Sequence, residues 1–165
     1  MPEKLFEPMV FVDLETTGAT GTVDRITEIG IVEVNEEGEV REWSSLVNPQ
    51  TSIPPFIQNL TGISDAMVAE APTFEELAEE VLMRLHGRLF VAHNARFDYG
   101  FLKNEFKRVG VDFKATVLCT VKLSRKLFPQ FSKHSLDALI ERHQLHMPAR
   151  HRALAYAAVL WQFWQ

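Results

Sequence analysis

The chain has 165 residues, 46% of them hydrophobic, and a formal net charge of −5 at pH 7. That length suits a single domain able to bury roughly 70% of the surface its unfolded chain exposes. No apolar run approaches the roughly 20 residues needed to cross a bilayer, so no membrane-spanning helix is expected.

Cys119 is the only cysteine, which rules out an internal disulfide and a cysteine metal cluster. This usage suits a reducing cytoplasm. Residues 1–8 are acidic and mixed, without the basic and apolar regions of a secretory signal, so a cytoplasmic location is expected. The charge is uneven. Residues 1–83 carry three Lys/Arg against seventeen Asp/Glu, and residues 84–165 carry fourteen against five. Such polarity hints at a charged partner, although clustering on a solvated surface gives the same count.

Residues 9–12 form a short apolar run that ends in a carboxylate-rich turn. The β-branched stretch 25–35 and the stretch 40–47 predict two more strands, with a turn at 35–38, giving an antiparallel meander. Residues 50–72, with Pro54, Pro55, Gly62 and Pro72, are expected to be irregular. Thr73 and Glu76 form a capping box ahead of Leu77, Val81, Leu82 and Leu85. A buried strand is predicted over 89–92. A helix follows, with Phe97, Phe101, Leu102, Phe106 and Val109 on its apolar face and Gly110 as its stop. A strand over 117–120, a helix through Leu136, Leu139 and Ile140, and a final helix over 149–163 complete the chain. The order predicts an α/β domain with a mixed sheet. The last helix lacks a stop signal, so the chain is expected to be the N-terminal part of a longer protein.

Asp13 and Glu15 follow the first apolar run. Residues i and i+2 of a strand share a face, so their carboxylates aim at one place. Two such charges repel, and a hard divalent cation such as Mg²⁺ or Mn²⁺ would relieve them. A solvated acidic strand end has the same sequence. Thr16, Thr17 and Gly18 make a small turn where backbone can approach a phosphate or sugar. Asp98 stands in the first turn of the predicted fourth-strand helix, where the helix dipole favours an acid and where α/β folds place their sites. His151 opens the last helix and can take a proton from water near neutral pH. His143 and His146 lack a third zinc ligand nearby and are expected at the surface.

Taken in order, these segments resemble the DEDDh exonucleases, the DnaQ-like group that includes bacterial polymerase III proofreading subunits. Val12-Asp13-Leu14-Glu15-Thr16-Thr17-Gly18 resembles their first motif, and residues 93–102 (HNARFDYGFL) resemble the second. Residues 150–155 (RHRALA) resemble the third, and Leu60-Thr61-Gly62-Ile63-Ser64 resembles the loop that packs on the terminal nucleotide. The resemblance implies a ribonuclease-H-like fold with a five-stranded mixed sheet flanked by helices. It implies hydrolysis of phosphodiesters at single-stranded 3′ ends with two divalent ions; DNA is the expected polymer, although the motifs themselves do not distinguish it from RNA. Asp13, Glu15 and Asp98 would hold the ions and His151 would act as general base. Leu14, Thr16, Thr17, Gly18, Ile63, His93, Asn94 and Phe97 would lie near the terminal nucleotide. Lys122, Arg125, Lys126, Lys133, Arg150 and Arg152 are candidates for phosphate contacts. A DNA polymerase or a fused C-terminal domain is the implied partner.

One position departs from the pattern. Five residues after the histidine the family has a metal-binding aspartate, and this chain has Tyr156. A phenol titrates near about 10 and brings no charge at neutral pH. No acid follows Glu141 to replace it. Strongly reduced hydrolysis is therefore expected. The second reading is a catalytically silent module that binds nucleic acid or serves a polymerase assembly.

Overall fold

The computed structural model describes residues 7–146 and 152–165. The first apolar run extends into strand β1 (Met9–Thr16), because the carboxylate positions keep extended backbone. The predicted meander is present. β1 pairs antiparallel with β2 (Ile26–Val34), which pairs antiparallel with β3 (Val40–Leu46). β4 (Leu89–Ala92) and β5 (Val117–Cys119) then add in parallel, giving the order β3-β2-β1-β4-β5. The mixed five-stranded sheet expected from the resemblance is thus formed, with β1 at its centre.

The segment expected to be irregular contains two short helices, α1 (Pro55–Thr61) and α2 (Asp65–Ala69). The prolines that suggested a break lie at the start of α1, where a missing N–H costs little. Gly62 closes α1 at φ 75°, a left-handed conformation that suits glycine. Ser64 then accepts the Met67 N–H at 3.2 Å to start α2. Helix α3 (Phe74–Leu85) begins at the predicted capping box, with Thr73 accepting the Glu76 N–H at 3.3 Å. Helix α4 (Ala95–Arg108) follows β4. Helix α5 (Thr120–Leu127) grows directly from β5 and was not legible as a separate element. Helix α6 (Leu136–His143) and helix α7 (Ala153–Trp164) end the chain.

Alternation along β1 divides the core. Val10, Val12 and Leu14 pack with Phe74, Leu77 and Val81 of α3 and with Phe101, Leu102 and Phe106 of α4. Met9 and Phe11 pack on the other side with Val32, Val34, Val91 and, from α7, Ala157 and Leu160. Phe11 also meets the Trp161 ring edge-on, with centroids 5.5 Å apart. Asp13 and Glu15 continue the odd-numbered series, so they project from the α7 face of the sheet.

Candidate active site

β4 is short, and its pairing with β1 runs only from Met9–Leu89 to Phe11–Val91. Beyond that point the edge of β1 is open. The chain turns through Asn94, which takes a left-handed conformation at φ 66° tolerated by asparagine, and enters α4. Its first turn brings in Asp98, which is 3% exposed and accepts the backbone N–H of Leu14. Asp98 is therefore fixed beside the carboxylates of β1.

The three acids disturb one another. Asp13 is held well above the usual carboxylate range, first by burial and then by the charges of Asp98, Glu15 and Glu28. Glu15 is pushed up to about 8 by burial and by Glu28, partly offset by Arg152. Burial also raises Asp98, against the N–H groups of Leu14 and of Asp98 itself, with further repulsion from Glu15 and Cys119. Buried oxygens that resist ionisation are a donor set suited to a hard divalent cation. Among the described residues no three Asp, Glu, His or Cys side chains are drawn together as a ready-made ion cage. The acids are neighbours in an electrostatic sense, without ligand-like contact.

β1 ends at a register shift between Glu15 and Thr16, a bulge of the kind that re-aims side chains beside sites. The turn beyond it is internally tied. The Thr16 hydroxyl donates to the Gly18 carbonyl at 2.6 Å, and the Thr17 hydroxyl donates to Asp24 at 3.1 Å. A Cβ on Gly18 would lie 2.5 Å from the Asp24 carboxylate and would push it off its contacts with Thr17 and Thr20. Arg25 extends the anchoring by donating to Glu105 of α4 at 2.7 Å.

The other sequence candidates are spread between core and surface. Leu14 is buried in the core and offers its backbone to Asp98. Ile63 is fully buried with Ile53 and Val68, while Leu60 of the same loop and Phe56 of α1 are exposed. The Phe97 ring is half-buried, 4.7 Å from the Phe101 centroid. His93 is lowered to about 4, chiefly by burial, so it is neutral. Its Nε2 faces the His134 carbonyl at 2.7 Å, which makes Nε2 the N–H, and Nδ1 lies 2.8 Å from the Thr120 hydroxyl. His93 thereby ties the end of β4 to α5 and to the segment before α6. Asn94, Lys122 and Arg125 line an open cleft beside it.

His151 and Arg150 lie outside the described residues. Tyr156 is 7% exposed and packs with Ile140 and Val159 in an apolar seam between α6 and α7. The expectation of surface positions holds for His146 and fails for His143. The His143 ring is half-buried between Phe128 and Phe163, at 4.8 and 5.4 Å, because α6 packs back against α7. Sequence reasoning missed Glu28. A buried acid two residues before a glycine in a mostly apolar strand was the signal. Glu28 is 4% exposed, opposite Glu15 in the β1–β2 register, and grips Arg152 at 2.6 Å.

The sheet order β3-β2-β1-β4-β5, with helices on both faces, is that of the ribonuclease-H-like fold. The chain belongs to the exonuclease family, whose model, described as "Exonuclease", matches residues 10–161. It is 45% identical over 153 residues to the 3′-5′ exonuclease DinG of Bacillus subtilis, covering 91% of this chain and 16% of that protein. It is 40% identical over 145 residues to the PolC-type DNA polymerase III of Caldanaerobacter subterraneus subsp. tengcongensis, covering 88% of this chain and 10% of that protein. The chain thus spans only a small part of these curated relatives. Among solved structures, exonuclease X in complex with 5′ overhanging duplex DNA superposes with a TM-score of 0.69 at 33% identity, covering 92% of this chain and 88% of that one. Escherichia coli exonuclease I with a dA16 oligonucleotide shares the fold at a TM-score of 0.80 and 17% identity, covering 93% and 39%.

Proposed function

We propose that this domain removes nucleotides from single-stranded 3′ ends, DNA in preference to RNA, and that Tyr156 leaves it strongly impaired. The observation that supports the reading is electrostatic: Asp13, Glu15 and Asp98 are all raised by burial first, and Asp13 and Asp98 further by neighbouring acids of this set. When bound, two divalent ions, Mg²⁺ or Mn²⁺, would supply positive charge for the attacking and leaving oxygens. Asp13, Glu15 and Asp98 would hold them. His151 would accept the proton of the attacking water through its imidazole nitrogen. Lys122 and Arg125, exposed beside Asn94, would meet backbone phosphates. The buried Ile63 gives the terminal-nucleotide loop its core support, and the exposed Leu60 and Phe56 are its available contact surface. The relatives named for polymerase and exonuclease activities favour a setting within a longer replication or repair protein. No helix among the described residues is long and apolar enough to cross a membrane.

The test is a 5′-labelled single strand incubated with the chain and Mn²⁺. A ladder of products shortened from the 3′ end is expected, and Asp13→Asn is expected to remove it. Binding without any ladder would support the silent-module reading. A ladder that persists at the same rate in Asp13→Asn would overturn the site assignment.

A further inference from the structure

Glu28 and Glu15 face each other across the β1–β2 pair, so their Cα atoms are about 4.5–5.5 Å apart. Arg152 pairs with Glu28, and its charge also acts on Glu15. The guanidinium is engaged by Glu28 at two points, with Nη2 at 2.6 Å and Nε at 3.1 Å from both oxygens. Glu28 Oε1 also accepts the Ala153 N–H at 2.8 Å, the first amide of α7. That helix has no side-chain cap of its own at Arg152. The approach is close because Gly30, two residues along the same face, leaves room. A Cβ there would lie 2.3 Å from the Ala153 carbonyl carbon. Arg152 is held in place by these contacts, yet its charge is still felt by Glu15.

We propose that Glu28 is a positioning residue that tethers Arg152 and so keeps the guanidinium from pairing with Glu15, leaving that carboxylate open to a divalent cation. The inference rests on the nuclease reading of Glu15. With the tether cut, the guanidinium is free to turn to Glu15, on which its charge already acts. Arginine forms two-point contacts with carboxylates readily, and the contact with Glu15 would compete with the metal ion.

The experiment is a double-mutant cycle of Glu28→Gln and Arg152→Gln, made in the chain and in its Tyr156→Asp variant. Mn²⁺ affinity is read by calorimetry and folding by circular dichroism. Glu28→Gln is expected to weaken Mn²⁺ binding about tenfold or more. Arg152→Gln alone is expected not to weaken it. The double variant is expected to recover to within about threefold of its parent while Arg152→Gln alone changes the affinity by less than about threefold, a non-additivity that independent removal of one negative and one positive charge does not produce. A second comparison does not depend on the folding of Glu28→Gln. Arg152→Lys keeps the charge and loses the two-point grip, so it is expected to bind Mn²⁺ more weakly than Arg152→Gln. A double variant as weak as Glu28→Gln, or equal affinities for Arg152→Lys and Arg152→Gln, would overturn the tether. Folded protein that binds no Mn²⁺ in either background would overturn the nuclease reading, and the tether with it.

Discussion

Asp13 and Gly30 stand opposite each other in the β1–β2 register, and the start of α7 passes directly over Gly30. The missing side chain is what lets the last helix reach the acidic end of β1. Gly30→Ala places a methyl group against backbone that has no freedom to rotate away. It is expected to destabilise the protein by about 3 kcal/mol or more. Urea denaturation measures this, and a loss below about 0.5 kcal/mol would show that α7 can shift without consequence.

Without metal, the acidic site should make the fold less stable as pH rises. Glu15 binds its proton more tightly folded, at about 8, than unfolded, where a free glutamate titrates at 4.5. Between those values the folded state carries more protons than the unfolded state, so stability falls with increasing pH. Asp13 and Asp98 are also raised and act in the same direction. Above about pH 6.5, where the lowered His93 no longer acts in the opposite direction, a metal-free melting temperature that declines towards pH 8 is expected, and saturating Mn²⁺ is expected to flatten the decline. A melting temperature that rises over this range would contradict the burial of these acids.

The loop after α1 divides its labour between Ile63 and its exposed neighbours. Ile63→Ala opens a cavity beside Ile53 and Val68 and is expected to cost about 3 kcal/mol of stability. Phe56, 70% exposed, has little core to lose. If bases stack on it, Phe56→Ala should weaken binding of a single strand by about 1 kcal/mol, roughly fivefold, with stability unchanged. Fluorescence anisotropy and thermal melting separate the two variants. Unchanged binding in Phe56→Ala would remove that surface from the substrate path.

The strands and the acids at their ends were legible because period-2 patterning and a D-x-E sequence speak locally. The capping box at Thr73 and the left-handed glycine at 110 were legible for the same reason. Helices α1 and α2 were not, since two turns bracketed by Pro54, Pro55 and Gly62 have the composition of a loop. The burial of Ile63 and of the His143 ring depends on elements distant in sequence, which no local pattern announces. Glu28 was hidden for a related reason. Its partner Arg152 lies 124 residues away, and only the packing of α7 over Gly30 brings them together.

Tyr156 is held by packing rather than left hanging in the site. Its ring fills the seam with Ile140 and Val159, so Tyr156→Asp is expected to lower metal-free stability by about 3 kcal/mol. Mn²⁺ should return part of that loss, because an ion bound only by the folded state stabilises it. A variant as stable as its parent would show that the ring contributes nothing to the seam.

The most direct measurement compares the chain with Tyr156→Asp on a 5′-labelled single-stranded oligonucleotide, at equal concentration of folded protein and with Mg²⁺ or Mn²⁺. Hydrolysis at least about 100-fold faster in the variant, abolished by a chelator, is the expected result. Equal rates in the two proteins would contradict the account, since position 156 would then have no part in holding the ions that Asp13, Glu15 and Asp98 are proposed to share.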